Sequence, residues 1–230
     1  SQVNHTIIHA GDEQTLFDEA CRIAIEFGKF KVAWIGKIDD ENKKINLTAQ
    51  CGMLPEDAAL FSNCHYGVNG PTDIVVTKGR YYVSNNAVDD PILLTLRPII
   101  ASRGWHSYAT FPIKRGGKVI ATFNLFAEEV NLFNKELIEL LEEPCASISF
   151  TLDVFEKERL RIQAKEETKH REFRLKQAQG SAHFGSWELN FSTGIAKWSE
   201  EACLIYGLPA NDSEHTYLDW LSFIHPEDLP

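Results

Sequence analysis

Two hydrophobic segments near the middle of the chain contain polar side chains whose hydroxyl and amide groups could bind a ligand. Residues 105–113 and 119–127 are rich in aromatic and β-branched residues and flank a tight turn, which predicts a β-hairpin. Because side chains alternate between the two faces of a strand, one face is expected to carry His106, Tyr108, Thr110, Ile120, Thr122 and Asn124.

Buried hydroxyl and amide groups need hydrogen-bond partners. A small-molecule ligand would supply partners for Thr110, Thr122 and Asn124, and internal waters or neighbouring protein groups would do so equally well. The pattern therefore predicts either a ligand site or a polar network inside the protein, and the sequence leaves both open.

Other residues are expected to surround the same face. Trp34, in the predicted strand 31–39, would form a wall of the site or belong to the core. The irregular segments 67–73 and 84–103 are expected to cover the face. Arg103 would pair with an anionic ligand or lie at the surface. The candidate ligand-binding residues are thus Trp34, Asp73, Arg103, His106, Tyr108, Thr110, Thr122 and Asn124.

The sequence indicates no enzyme within this chain. It contains no G-x-S-x-G motif, no H-E-x-x-H motif and no phosphate-binding glycine loop. Its five cysteines are odd in number and form no C-x-x-C motif, which favours unpaired thiols in a reducing cytoplasm and no metal site. Cys51 and Cys64 lie 13 residues apart, so thiol exchange between them is a further alternative.

Composition narrows the class of protein and its partners. The 230 residues are 43% hydrophobic and 24% charged, as in ordinary globular proteins, and are enough for one or two domains. A net charge of −10 argues against nucleic-acid partners and against anionic membranes. No apolar run is long enough to cross a bilayer, so we expect no membrane contact and a cytoplasmic location, although a membrane anchor could lie upstream.

The remaining patterns predict an α+β fold with an antiparallel sheet and helices packed on one face. Residues 1–11 read as the end of an incoming helix, and residues 13–27 repeat apolar side chains at helical spacing. A long helix is expected from Asn134, with a kink at Pro144. Residues 156–180 form its charged, connecting part. The apolar stretch 148–162 suggests a homodimer through the first and last helices of the first domain and through the connecting helix.

Residues 12–155 resemble a GAF domain, a fold that senses small molecules. The motifs that carry the resemblance are Leu16 to Cys21, Ala33 to Gly36, Gly104 to Ile113, Gly117 to Ile120, Phe123 to Ala127 and Phe133. The resemblance implies that the first and last helices cover one face of the sheet and that the other face lines a ligand pocket. The cysteine that carries a bilin in some members has no counterpart before the Ser107 strand, and Cys64-His65 lies in another loop, so the sequence predicts neither bilin nor haem.

Residues 181–230 resemble the N-terminal half of a PAS domain. The matching features are Gly185, Trp187, Glu188, Thr193, Gly194, Trp198, Ser199, Ile205, Gly207 and the run Ile224 to Asp228. The order GAF, helix, PAS is similar to the input regions of sensor histidine kinases and diguanylate cyclases. It implies a sensory region that binds an unknown small molecule and relays through the helix to an output domain.

Two alternatives from other classes remain. The first domain could be a GAF-type spacer that binds nothing and only dimerises; side chains such as Trp34 and Tyr108 filling the pocket would favour this interpretation. It could also be a sulfoxide reductase, since some small GAF proteins have that activity, and this would require Cys51 and Cys64 to meet.

Overall fold

The computed structural model describes residues 11–62, 64–67, 70–181 and 184–228. These residues fall into two compact units that divide after Arg159. The predicted incoming helix at residues 1–11 lies outside the described residues except for Gly11. Among the described residues, no helix combines the length and apolar character needed to cross a bilayer.

The first unit is an α+β unit built on an antiparallel sheet, as the sequence predicts. Its six strands are ordered β3-β2-β1-β6-β5-β4 across the sheet. The strands are β1 (Val32–Asp39), β2 (Lys44–Cys51), β3 (Cys64–His65), β4 (Tyr82–Ser84), β5 (Ser107–Arg115) and β6 (Lys118–Ala127). The helices are α1 (Glu13–Phe27), α2 (Pro55–Phe61), α3 (Pro71–Lys78), α4 (Arg97–Arg103) and α5 (Lys135–Ser181), with a 3₁₀ turn at Pro91–Leu93.

Helix α1 occupies the predicted residues, and its ends follow from local chemistry. The Asp12 side chain accepts a hydrogen bond from the Thr15 N–H at 2.9 Å and satisfies a donor that the first turn would otherwise leave free. Gly28 ends the helix, with its N–H bonded to the Ala24 carbonyl. The buried stripe of α1, with that of α5, covers one face of the sheet; its members include Leu16, Phe17, Cys21, Ile148 and Leu152.

Strand alternation separates two cores on the two faces of the sheet. The core beneath α1 and α5 takes the odd-numbered positions of the central strands: Ala33, Ile35, Ala109, Phe111, Ile113, Ala121, Phe123, Leu125 and Ala127. The opposite core takes even-numbered positions and is covered by the shorter helices α2 and α4; it includes Trp34, Tyr108 and Phe126. The face predicted for the polar side chains is therefore the face that the long helices leave open.

Helix α5 is anchored to the sheet at two points beyond its apolar stripe. Asn134 begins it, with its Oδ1 accepting the Leu137 N–H at 2.9 Å. The Ser149 hydroxyl accepts the Lys114 N–H at 2.9 Å, and the Asp153 carboxylate accepts the Gly116 N–H at 2.8 Å. The hairpin between β5 and β6 is thus tied directly to the middle of this helix, which continues through Pro144.

The second unit contains a three-stranded antiparallel sheet ordered β7-β8-β9. Its elements are β7 (Trp187–Asn190), β8 (Ile195–Trp198), α6 (Glu200–Ile205), β9 (Glu214–Thr216), α7 (Tyr217–Ser222) and a 3₁₀ turn at Pro226–Asp228. The Ser199 side chain caps α6, as predicted, by accepting the Ala202 N–H. Its buried core is small and centres on Trp198, Ala202 and Cys203.

Glu13 links α1 to two strands of the sheet. Its carboxylate forms ion pairs with Lys37 on β1 and Arg115 on β5. Burial alone would raise the pKa of Glu13, but the hydrogen bonds and charges of Lys37 and Arg115 outweigh burial and lower the pKa below its ordinary value of 4.5. A lowered pKa means that the stabilisation is present above pH 4.5 and is lost as the pH falls through the folded value.

We therefore expect Glu13→Gln to reduce the free energy of unfolding at pH 7 by about 1 kcal/mol. The difference from the parent protein should narrow below pH 4.5, where the unfolded carboxyl is protonated. Urea unfolding at a series of pH values measures this. Glu41→Gln is the control, because it makes the same charge change at an exposed turn. Its free energy of unfolding should stay within about 0.5 kcal/mol of the parent value at each pH. A constant difference between pH 7 and pH 3 would contradict the assignment.

Candidate functional site

The candidate site is a row of side chains that crosses three neighbouring strands. Antiparallel pairing sets Asn124 on β6 opposite Trp34 on β1 and opposite Thr110 on β5. Thr122 lies two residues before Asn124 on the same face, next to Gly36. All four side chains are buried, so the sheet brings together residues that are up to 90 positions apart in the sequence.

Asn124 is the centre of a buried hydrogen-bond network. Its Oδ1 accepts the Tyr108 hydroxyl at 2.8 Å. Its Nδ2 donates to the Thr122 carbonyl at 3.0 Å, to the Thr122 hydroxyl at 3.1 Å and, at 3.4 Å, to the Trp34 carbonyl. Protein groups therefore satisfy the Asn124 amide. For this residue the structure has the internal polar network that was one of the two sequence-based alternatives. Burial raises the pKa of Tyr108, which keeps its hydroxyl protonated as the donor.

Two polar atoms on this face remain without a hydrogen-bond partner among the described residues. They are the indole Nε1 of Trp34 and the hydroxyl of Thr110. The Thr110 hydroxyl lies close enough to the Tyr108 hydroxyl to lower the pKa of that phenol, against the larger effect of burial. Indole N–H is a donor only, so a partner for Trp34 must be an acceptor. Unpaired buried donors cost about 1–3 kcal/mol and are rare in folded proteins.

Aromatic side chains fill the space in front of the row. The Trp34 ring lies 5.1 Å from the Phe61 ring, and the Phe126 ring lies 4.4 Å from Trp105 and 4.7 Å from Tyr108. Gly36 permits this packing, because a Cβ there would lie 2.7 Å from the Trp34 ring. Sequence reasoning missed Phe61, Trp105 and Phe126 as parts of this face, although Phe126 follows from the alternation that places Asn124 there.

Three of the candidate residues lie outside the row: His106, Asp73 and Arg103. The predicted strand 105–113 begins at Ser107, two residues later than expected, so His106 precedes the strand and its side chain is exposed. The expectation that His106 shares the buried face is therefore wrong. Asp73 lies in the first turn of α3, where its carboxylate accepts the backbone N–H groups of Gly67 and Gly70. A negative charge in this position also interacts favourably with the dipole of the helix.

Arg103 has a protein partner that the sequence did not suggest. Its guanidinium binds the Asp57 carboxylate through Nε at 2.9 Å and through Nη2 at 2.9 Å, and it also contacts Glu56 at 2.9 Å. These hydrogen bonds raise the pKa of Arg103, first through Asp57 and then through Glu56. The pair joins α4 to α2 over the aromatic cluster, so Arg103 is neither a free surface residue nor available to an anionic ligand in this arrangement.

The cysteines are too far apart for the predicted thiol-exchange alternative. Cys64 on β3 pairs with Ile45 on β2, and Cys51 lies six residues further along β2. At about 3.3 Å per residue, the two cysteines are roughly 20 Å apart, whereas a disulfide needs Cα atoms within about 7 Å. Among the residues that the structure describes, no cluster of three histidine, cysteine or acidic side chains could hold a metal ion.

We expect Tyr108→Phe to lower the free energy of unfolding by about 1–3 kcal/mol, because it leaves the Asn124 carbonyl oxygen buried without its donor. Chemical denaturation measures the loss. In an Asn124→Ala background the same substitution should cost less, since the acceptor is then absent, and a double-mutant cycle isolates the difference. Additive losses from the two substitutions would show that the hydrogen bond contributes nothing.

Comparison with known proteins places this arrangement in a family. No curated protein matches the chain. Among solved structures, the GAF region of a putative membrane protein from Geobacter sulfurreducens is 18% identical, with a TM-score of 0.54, and the match covers 67% of this chain and 99% of that one. The GAF domain of a phosphoenolpyruvate-protein phosphotransferase from Acinetobacter is 17% identical, with a TM-score of 0.52, over 65% of this chain and 87% of that one.

A free methionine-R-sulfoxide reductase from Neisseria meningitidis, solved with its substrate, is also similar in fold. It is 15% identical, with a TM-score of 0.56, over 65% of this chain and 83% of that one. At these identities the likeness concerns the fold alone. The family model for the GAF domain matches residues 10–153, which is more than half of the sequence and includes every strand of the six-stranded sheet. This chain belongs to the GAF domain family.

Proposed function

We propose that this chain is the sensory input region of a bacterial signal-transduction protein, in which the GAF domain binds a small molecule. A sensor histidine kinase is the output partner we favour, and a diguanylate cyclase is the alternative. The second unit, with its β7–β8 pair and its capped helix α6, serves in this proposal as a PAS-type module between the GAF domain and the output.

The observation that carries the proposal is the course of helix α5. Near its start it buries Leu141, Cys145, Ile148 and Leu152 against the GAF sheet. It then continues as one helix to Ser181, and from residue 156 onward its described side chains are mostly exposed. Its bonds to the β5–β6 hairpin connect it to the two strands that also carry Tyr108 and Asn124. A change on the polar face can therefore shift the helix, provided that ligand affinity differs between the two helix positions.

The chemistry of the face suggests the kind of ligand. The Trp34 N–H offers a donor, the Thr110 hydroxyl can donate or accept, and the walls are aromatic. Arg103 is paired with both Asp57 and Glu56, so it offers no free positive charge to an anionic ligand. We propose a neutral small molecule with a planar apolar body and at least one hydrogen-bond acceptor.

We expect the protein purified from cells to retain such a molecule, which native mass spectrometry would detect as added mass. A thermal-shift screen of neutral metabolites would then find a compound that stabilises the chain by about 2.7 kcal/mol at 100 times its dissociation constant. Trp34→Phe should reduce this stabilisation because it removes the donor. The matched control is Trp187→Phe, which changes an exposed tryptophan in the second unit and should leave the stabilisation unchanged.

The filled face favours a second candidate function. Trp34 and Tyr108 are 3% and 2% exposed, and a GAF-type spacer without a ligand would have such a packed core. In that case Trp34→Phe loses packing of the larger ring but also removes an unpaired donor, so the net loss of stability should be small. An unliganded mass, no stabilising compound and little loss of stability in Trp34→Phe would together exclude the ligand proposal.

We also propose that the chain is a homodimer through α1 and the start of α5. An apolar groove of about 460 Å³ lies between them and includes Phe27 and Leu140, which are 71% and 63% exposed. Exposed apolar patches of this kind often mark contacts between proteins.

Sedimentation at high micromolar concentration is therefore expected to give a dimer, and Leu140→Glu should shift it toward monomer. Leu94→Glu is the control, because Leu94 has a similar exposure of 55% but lies outside this groove. A parent protein that is purely monomeric under these conditions would contradict the proposal.

A further inference from the structure

Two short helices form the cover of the polar face. Helix α2 inserts Phe61 between Trp34 and Phe126, with ring distances of 5.1 Å and 6.0 Å. Helix α4 contributes Ile100, which is fully buried in the same cluster. A molecule that approaches the Trp34 N–H from the side opposite the sheet must therefore displace these side chains.

Neither helix is stabilised much by its own sequence. Each has seven residues, begins with proline in its first turn and lacks a side-chain cap at its N-terminus. Isolated helices of this length are unstable in water, so their position depends on tertiary contacts. The strands beneath them, in contrast, are held by continuous backbone ladders. The position of the cover thus depends on its side-chain contacts, whereas the strands beneath it are also held by backbone hydrogen bonds.

An ion pair between buried Asp57 and partly exposed Arg103 joins the two helices. The Asp57 carboxylate is 2% exposed, and among the described residues every hydrogen bond to it comes from Arg103. Removing Arg103 would leave the buried Asp57 charge without compensation, which is costly. Separating the two helices has a different consequence, because water then solvates both charges. An ion pair of this kind therefore holds the cover closed and still allows it to open reversibly.

We propose that α2 and α4 are a lid over the polar face and that the Asp57–Arg103 pair is its latch. Opening the latch exposes the Trp34 and Tyr108 face and gives a ligand its path of entry. That this motion admits a ligand rests on the proposed function. The motion itself can be measured without any ligand.

Cysteines already present in the chain report on this motion. The half-buried Cys64 thiol contacts the Leu60 carbonyl of α2 at 3.7 Å and packs against the aromatic cluster, where partial burial raises its pKa. Cys21 and Cys145 are buried in the opposite core beneath α1 and α5. Lid opening should increase the exposure of Cys64 and leave Cys21 and Cys145 covered, whereas global unfolding should expose all three of these thiols.

The experiment is alkylation of the whole chain by N-ethylmaleimide under native conditions, with the rate at each cysteine followed by peptide mass spectrometry. Asp57→Asn keeps the shape of the side chain and removes its charge. We expect it to accelerate labelling of Cys64 by on the order of ten-fold or more, since hydrogen bonds to charged groups contribute that much to an opening equilibrium. Labelling of Cys21 and Cys145 should keep the parent rates.

Glu56→Gln is the matched control. Glu56 contacts the same guanidinium from the same helix, but its side chain is 65% exposed, so the substitution should change Cys64 labelling less than about two-fold. Arg103→Gln breaks the latch from the other side and should reproduce the Asp57→Asn pattern.

An unchanged Cys64 rate in both latch variants would overturn the proposal. So would equal acceleration at Cys21, Cys64 and Cys145, because the ion pair would then support the whole domain and no separate lid would exist. Selective acceleration at Cys64 supports the lid even if no ligand is ever found, in which case only the ligand proposal fails.

Discussion

The alternation of side chains along β1, β6 and β5 is the constraint on which the first unit depends. These three strands form the middle of the sheet, and each places small or apolar residues toward α1 and α5. A shift of one residue in β5 or β6 would turn Thr110 or Asn124 into the apolar core under α1 and α5, and a shift in β6 would turn Leu125 out of that core. The register is therefore fixed by the free-energy cost of burying amides and hydroxyls in the apolar core beneath α1 and α5.

This separation gives the two faces different roles. The face under the long helices is built mainly of interlocking apolar side chains and provides stability. The other face combines an internally bonded amide, a tyrosine that donates to it and an indole donor with no acceptor among the described residues. It is covered by two short helices rather than by long ones. The polar groups and the movable cover thus occur together on one side of a rigid sheet.

Much of this arrangement could be predicted from local patterns. The period of two along the hairpin assigns Tyr108, Thr110, Thr122 and Asn124 to one face, and the capping chemistry of Asp12 fixes the start of α1. The family resemblance also followed from ordered motifs spread over the whole unit. These features depend on neighbours in sequence or on a simple repeat, so a single sequence contains them.

The missing features are non-local. Asp57 and Arg103 are 46 positions apart, and no pattern around either residue indicates that two short helices meet. Phe61 reaches Trp34 only because α2 folds back over the sheet. The prediction for His106 was wrong for a different reason. The predicted strand begins at Trp105, two residues before the hydrogen-bonded strand does. Sequence periodicity identifies the face of a strand but does not fix where pairing begins or what covers it.

The most direct test of the central claim, that this face is a ligand site and not simply a second core, is a crystal structure of the protein purified from cells without added ligand. The account predicts electron density for a non-protein group with an acceptor atom about 2.7–3.2 Å from the Trp34 Nε1. A closed face in which Phe61, Trp105 and Phe126 pack as described, with no density beside the indole N–H, would contradict it.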